Sequence, residues 1–260
     1  MDSALKRDAV VSESVIGTTP TTPAFKVLRT ISIGGGPQRP NERSPERVSH
    51  GQATNMFQGL FTVTKTIEMP WVRDAAADLL WQSLFWNTFS TNVLKNGFTP
   101  APFTLEEKYE GGATDPYRRT TGCLVDSATI AFRNDGQPGR VTFNVRGRDE
   151  GVATAVIAGA TYADAAPGLD PVAASEIAAT SVFGLTTPGI VAFNLTISNN
   201  LRERYAFGSS KPLSHGRGWL DIRGSIEFYL AAAADYSAFT TRQSDLPLEL
   251  ALGSVTDNKD

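Results

Sequence analysis

Residues 57–69 read FQGLFTVTKTIEM. Phe57, Phe61, Val63, Ile67 and Met69 fall on one face, interrupted by Gly59 and Lys65. Gln58, Thr62, Thr64, Thr66 and Glu68 fall on the other. A period of two with one wet face is the pattern of an antiparallel sheet that is solvated on one side. This stretch sets the fold class: mainly β (α+β), an antiparallel β-sandwich or barrel.

The pattern recurs outward along the chain. Residues 139–148 (GRVTFNVRGR) alternate Val141, Phe143 and Val145 with Thr142, Asn144 and Arg146. Residues 190–198 turn Val191, Phe193, Leu195 and Ile197 inward, and residues 220–230 do the same with Leu220, Ile222, Ile226, Phe228 and Leu230. Phe25–Ile33, Phe103–Glu110 and Arg118–Ile130 read as further strands, with a last one around Leu246, Leu248 and Leu250. Between them, Val72–Phe89 has apolar residues near 3.6 spacing and predicts one packed helix. Pro70 is expected in its first turn, Asp74 early in it, and Trp71, Trp81 and Trp86 against the sheet. Ala231–Thr241 is compatible with a second short helix. The strand–helix order at 63–80 is echoed at 221–239; a duplication and a shared packing demand both explain it.

Three segments lack this order. Residues 1–24 show no core periodicity, and SESVIGTTPTTPA (12–24) is rich in Thr and Pro. This predicts an extended N-terminal arm, free at the terminus or ordered against another subunit and dispensable for the fold. Residues 34–56 predict a long loop opened by Gly34-Gly35-Gly36-Pro37. Loops of that length are uncommon unless functional or disordered. Residues 150–175 are Ala-rich with Gly and Pro and show no clear period. The main domain is then one unit, 25–252, followed by a polar tail at 253–260.

Composition excludes more than it suggests. The single cysteine, Cys123, forbids an internal disulfide and a multi-cysteine zinc site, and two histidines, His50 and His215, rule out a histidine-rich metal centre. Cys123 lies in a strand-like run and reads as a small buried hydrophobe. Both histidines lie in polar Gly/Ser-rich segments, where solvation is expected. There is no phosphate loop and no nucleophile elbow, and Glu106-Glu107, Asp149-Glu150 and Asp221/Glu227 have no spacing that separates them from solvated strand faces. No catalytic, cofactor or metal site is expected, and no enzymatic activity. A net charge of −3 argues against a dedicated nucleic-acid binder, though not against passive contact. No apolar run is long enough for a membrane helix, and Lys6, Arg7 and Asp8 are followed by no signal-like segment, so no membrane insertion and a cytoplasmic origin are expected. The Asn194-Leu195-Thr196 sequon then carries no glycan.

The order of several motifs resembles the tail tube proteins of long-tailed, siphovirus-like phages. Glu13–Leu28 (ESVIGTTPTTPAFKVL) is similar to that family's E-S-x-x-G-T-x-P opening. Phe103–Glu107 and Tyr117–Val125 resemble its "F-T-x-E … Y-x-R-x-x-G-C-x-V" centre, Phe143–Asp149 its strand ending in G-x-D, and Ile197–Arg202 with Tyr205–Gly208 its "I-x-N-N-L … Y-x-x-G" close. The resemblance covers residues 13–252. It implies a structural virion protein related in fold to the tube of type VI secretion systems. Its subunits would form hexameric rings, stacked into a hollow tube through which double-stranded DNA is ejected. It also implies partners: further copies of the chain, a tape measure protein, a tail terminator and baseplate or distal tail proteins. The location would be the virion tail, with assembly in the host cytoplasm.

On that reading the wet strand faces line the bore, with Thr62, Thr64, Thr66, Glu68, Asp221, Arg223 and Glu227 as lumen-lining candidates. Their net acidic character would keep DNA from sticking. The arm and the long loop supply contacts between subunits or rings, with Thr18, Thr19, Pro20, Pro23, Arg39, Arg43 and Arg47 as candidates. The other readings are a related ring-forming tail or secretion-tube component, and a β-sandwich that binds a ligand. The second needs an aromatic cluster on a wet face, where only Tyr229 stands.

Overall fold

The structure, a computed structural model, describes residues 6–44, 46, 55–110, 115–165, 177–182, 189–229 and 248–252. Its elements in chain order are β1 (Lys6–Ser12), β2 (Ala24–Val27), β3 (Ser32–Gln38), β4 (Asn41–Arg43), β5 (Met56–Gln58), β6 (Thr62–Pro70) and α1 (Ala75–Phe85). There follow β7 (Phe103–Tyr109), β8 (Tyr117–Arg133), β9 (Arg140–Gly147), β10 (Asp149–Ala153), β11 (Thr161–Ala163) and β12 (Ile177–Val182). The last are β13 (Gly189–Ser198), β14 (Arg202–Arg204), β15 (Ser214–Gly216), β16 (Asp221–Tyr229) and β17 (Leu248–Leu252). The fold is mainly β and sandwich-like, with one helix among the described residues.

β8 organises the sandwich. Its first half pairs with β7 and β10, which continue through β1, β2 and β11. Its second half pairs with β9 and β13, which continue through β6 and β3 on one side and β16 on the other. Among the described residues every ladder is antiparallel except β2 with β11. The passage between halves falls at Gly122, whose φ of 64° is left-handed, and register shifts flank it at Phe103/Leu105 and Val125/Ser127. A glycine beside bulges is how a long strand bends from one layer into the next. Smaller ladders join β12 to β17, β14 to β15 and β4 to β5.

The core lies between the layers and under α1. Ile67, Met69, Phe143 and Val145 meet Val10, Phe103 and Leu105 there. Asp74 caps the helix: its carboxylate accepts from the backbone N–H of Ala76 (3.0 Å) and Ala77 (2.6 Å). Pro70 ends β6 instead of opening the helix. Trp81 packs edge-on against Phe143 at 4.9 Å, and Trp71 against Phe132 at 5.7 Å, so these tryptophans do hold the helix to the sheet. Trp86 is buried with Leu124 and Leu201.

Several expectations need correction. Lys6–Ser12 is not part of a free arm: β1 lies between β2 and β7, with Ala9 and Val10 fully buried. The expected strand 25–33 breaks at Leu28–Ile31 into β2 and β3. Gly34–Pro37 is not a turn, because β3 pairs with β6 from Ser32↔Glu68 to Gln38↔Thr62. The expected loop 34–56 instead holds most of β3, all of β4 and the first residue of β5. Within 150–175, most of β10 and all of β11 are strand. Arg47, His50, the expected second helix at 231–241 and the tail 253–260 lie outside the described residues.

Lys65 and the paired glutamates also behave unlike solvated strand residues. The Lys65 side chain is fully buried and bonds Glu107, with Glu150 at 3.0 Å. Lys6 lies 3.0 Å from both Glu107 and Asp8, and Arg118 bonds Glu150. Glu106 is likewise buried, paired with Arg119 at 2.7 Å and bonded by the Tyr162 hydroxyl at 2.6 Å. Burial opposes the charge on Glu107, but Lys65 and Lys6 outweigh it and hold its carboxyl below the ordinary range. For Lys6 burial is likewise outweighed, here by Asp8 and Glu107, and its pKa is raised. This network ties β1, β6, β7, β8 and β10 together at one end of the sandwich.

Candidate functional site

The cross-strand registers place all seven lumen-lining candidates on one face of the layer β3-β6-β9-β8-β13-β16. One row runs Thr66, Asn144, Ser127, Ser198, Asp221. The next runs Glu68, Thr142, Thr129, Thr196, Arg223. Directly paired residues share a face, so register alone makes this surface continuous. The bulges at Val125/Ser127 and Ile190/Ala192 absorb the odd residues and keep the polar set in phase. None of the seven is buried. The opposite face carries Val63, Ile67, Met69, Phe143, Ile130 and Phe193, all in the core.

Side chains on the polar face bond across the strands. Thr66 Oγ1 donates to Asn144 Oδ1 at 3.1 Å, and Asn144 Nδ2 donates to Ser127 Oγ at 3.0 Å. Thr129 and Thr196 hydroxyls are 3.1 Å apart. Glu68 accepts from Arg140 at 3.0 Å and from Ser32 at 3.1 Å. Arg223 pairs with Asp221 at 2.7 Å, and Arg146 with Asp126 at 2.9 Å.

The net acidic expectation does not survive this map. Three carboxylates (Glu68, Asp221, Glu227) share the face with three guanidinium groups (Arg133, Arg140, Arg223), and Arg146 is balanced by Asp126. The face is charge-balanced, hydroxyl- and amide-rich. The sequence reading missed Ser127, Thr129, Thr142, Asn144, Asn194 and Thr196 as members of this face. The signal for most of them was present in the alternation of 139–148 and 190–198.

β16 differs from its expected half-buried form. Ile222, expected inward, is 55 % exposed, and Tyr229 is 74 % exposed. Among the described strands β16 pairs only with β13. The contact candidates divide. Thr18, Arg39 and Arg43 are exposed, and Thr19 and Pro20 are half-buried. Pro23 is buried, and Thr19 lies 2.9 Å from the Thr104 hydroxyl, so these two serve the subunit's own packing.

The motif residues converge on one buried carboxylate. Glu13 Oε1 accepts from the Gly122 N–H (2.9 Å) and the Thr104 hydroxyl (2.7 Å), and Oε2 accepts from the Gly17 N–H (2.6 Å). Gly17 has φ 79°, and a Cβ on Gly122 would stand 2.7 Å from Arg148 Cβ. Arg148 in turn donates to the Ile16 carbonyl at 3.0 Å. The E-S-x-x-G-T opening, the F-T and T-G-C centre and the R-G-R-D strand end thus form one clamp that fixes the corner of β8. Asn199 does the same for the later motif, with Nδ2 donating to Leu84 O (2.6 Å) and Val125 O (3.1 Å). Removing the clamp's acceptor leaves the buried Gly122 N–H and the half-buried Gly17 N–H without it and the Thr104 hydroxyl with Thr19 alone, at about 1–3 kcal/mol for each donor left unpaired. Glu13→Ala is therefore expected to lower unfolding stability by several kcal/mol in urea melts, and Glu13→Gln by less. An unchanged midpoint for Glu13→Ala would show that the donors find other partners.

Cys123 is fully buried, and burial pushes its thiol well above the ordinary value. His215 is not solvated as expected: it lies in β15, 5 % exposed, with burial lowering its pKa. Among the described residues no group of three His, Cys, Asp or Glu could hold a metal, and no helix is long and apolar enough to cross a membrane.

A search of curated proteins returns no match. A family model described as phage tail tube protein matches residues 7–260. That span contains the clamp, the polar face and both outer strands of its layer, and the chain belongs to the phage tail tube protein family.

Proposed function

We propose that this structural tail protein builds the tube as hexameric rings stacked head to tail, with the polar face of the layer β3-β6-β9-β8-β13-β16 lining a bore for double-stranded DNA. The observation that carries the reading is the continuity of that face, backed on its other side by the core and α1. Strand direction supports it. Six strands that alternate leave β3 and β16 antiparallel to each other, and each pairs on one side only among the described strands. A copy rotated about an axis can set its β3 beside β16 of its neighbour, extend the antiparallel ladder and keep the polar face on the same side. Closure of this kind removes open edges that otherwise invite aggregation.

A charge-balanced wall of hydroxyls and amides holds no array of free cations for phosphate, so DNA can slide past it. The other expected partners follow from this role. A tape measure protein sets length, a terminator and baseplate or distal proteins end the tube, and subunits assemble in the host cytoplasm. The siphovirus-like tail and the relation in fold to the type VI secretion tube are part of the same proposal. Negative-stain electron microscopy of the purified chain at rising concentration is the test. Rings and tubes with a bore wide enough for a duplex are expected; a monomer that persists at high concentration would count against the reading.

A further inference from the structure

Two further features lie at the same end of the layer. The first is a pair of exposed aromatics, Trp219 and Phe98, each 91 % exposed. They stand on loops locked together by Arg217, which donates to Gly97 O (2.7 Å), Asn96 Oδ1 (2.6 Å) and Asn199 Oδ1 (2.8 Å). Asn200 also donates to the Trp219 carbonyl at 2.9 Å. The aromatic is therefore presented on fixed backbone beside the start of β16.

The second feature is an open groove of about 630 Å³ at the far end of β3, lined among others by Gln38, Pro40, Glu42, Leu60, Glu203 and Tyr205. It combines apolar walls with carboxylates. Glu203 Oε1 is buried and has no hydrogen-bond donor among the described residues, and its Arg146 neighbour stands 3.8 Å away.

The registers fix where these features sit. Asp221 shares a row with Thr66, and Gln38 pairs with Thr62, so the Trp219 end of β16 and the Gln38 end of β3 point the same way along the layer. In the ring described above, on which this inference rests, the start of β16 meets the end of the neighbour's β3. We infer that Trp219 of one copy seats in the groove of the next, a knob and socket repeated round the ring. Arg217 has no carboxylate partner among the described residues, and the exposed Glu42 stands in the groove wall as a carboxylate it can meet. Such a contact is heterologous and closes only through rotation, as a ring requires.

The test uses the full chain, whose only native thiol, Cys123, is fully buried. Trp219→Ala is expected to melt like the parent chain, since the side chain is exposed, and to raise the concentration needed for assembly by roughly thirtyfold, as for a central aromatic anchor. The double variant Trp219→Cys/Leu60→Cys, oxidised after assembly, is expected to give a ladder of disulfide-linked multimers that neither single variant gives. Parent tubes with no ladder, or Trp219→Ala assembling at the parent concentration, overturn the knob and leave the ring standing. A parent chain that forms no rings overturns both.

Discussion

A chain beginning at Glu13, without Lys6–Ser12, is expected not to fold. β1 pairs with β7 from Lys6↔Tyr109 to Ser12↔Phe103, and with β2 on its other side. Val10 contributes to the main core, while Ala9 and Val11 build the second cluster with Phe25. Burying a valine is worth about 1.5–3 kcal/mol, and a domain is stable by only about 5–15 kcal/mol. The truncation removes two such valines, opens the edges of β2 and β7, and strips Lys6 from Glu107. The expected product is insoluble or melts without a cooperative transition. Val10→Asp is expected to fail in the same way, because it buries an unpaired charge. A truncated subunit with a parent-like melting curve would make β1 an accessory.

Lys65→Ala is expected to cost about 3–5 kcal/mol at neutral pH, the range for breaking a buried ion pair from one side. Glu107 and Glu150 are nearly as buried as the lysine, with side chains 1 % and 4 % exposed. Lys6 and Arg118 remain but approach from the rim, at 16 % and 25 % exposure. The pH dependence has a definite sign. The Glu107 carboxyl is held below its ordinary value in the folded chain. Its contribution is therefore complete above the unfolded pKa, about 4.3, and is lost as pH falls through the folded value. Without Lys65 that depression shrinks. The gap between parent and variant should be widest near neutrality and should narrow below about pH 4. Urea midpoints at the two pH values measure it, and an equal gap at both would remove Lys65 as the partner that matters.

How far the sequence was legible depends on what each residue's environment requires. β6, β9 and β13 were readable because one face is wet and the other dry, so alternation reports burial directly. β1 was not, since Val10 points to one cluster and Ala9 and Val11 to another, and a strand buried on both faces has no alternation. β3 was hidden because Gly34, Gly35 and Gly36 carry no side chain to show a pattern, while their backbone pairs normally with Thr66, Lys65 and Thr64. Lys65 looked like an interruption because its partners, Glu107 and Glu150, are remote in the chain. The candidate face shows the same division. Individual polar stripes were visible, but their union into one surface depends on register across six strands and on bulges that no local window reveals. The charge balance followed only once Arg133 and Arg140 joined the carboxylates on that surface.

The central claim is that this polar face is the inner wall of the tube. A reconstruction of the assembled tube by electron cryomicroscopy tests it most directly. The account expects Ser127, Thr129, Asn144 and Thr196 to line the bore, with α1 on the side of the layer away from it. A bore lined by α1, or by the layer that contains β1 and β7, would contradict it.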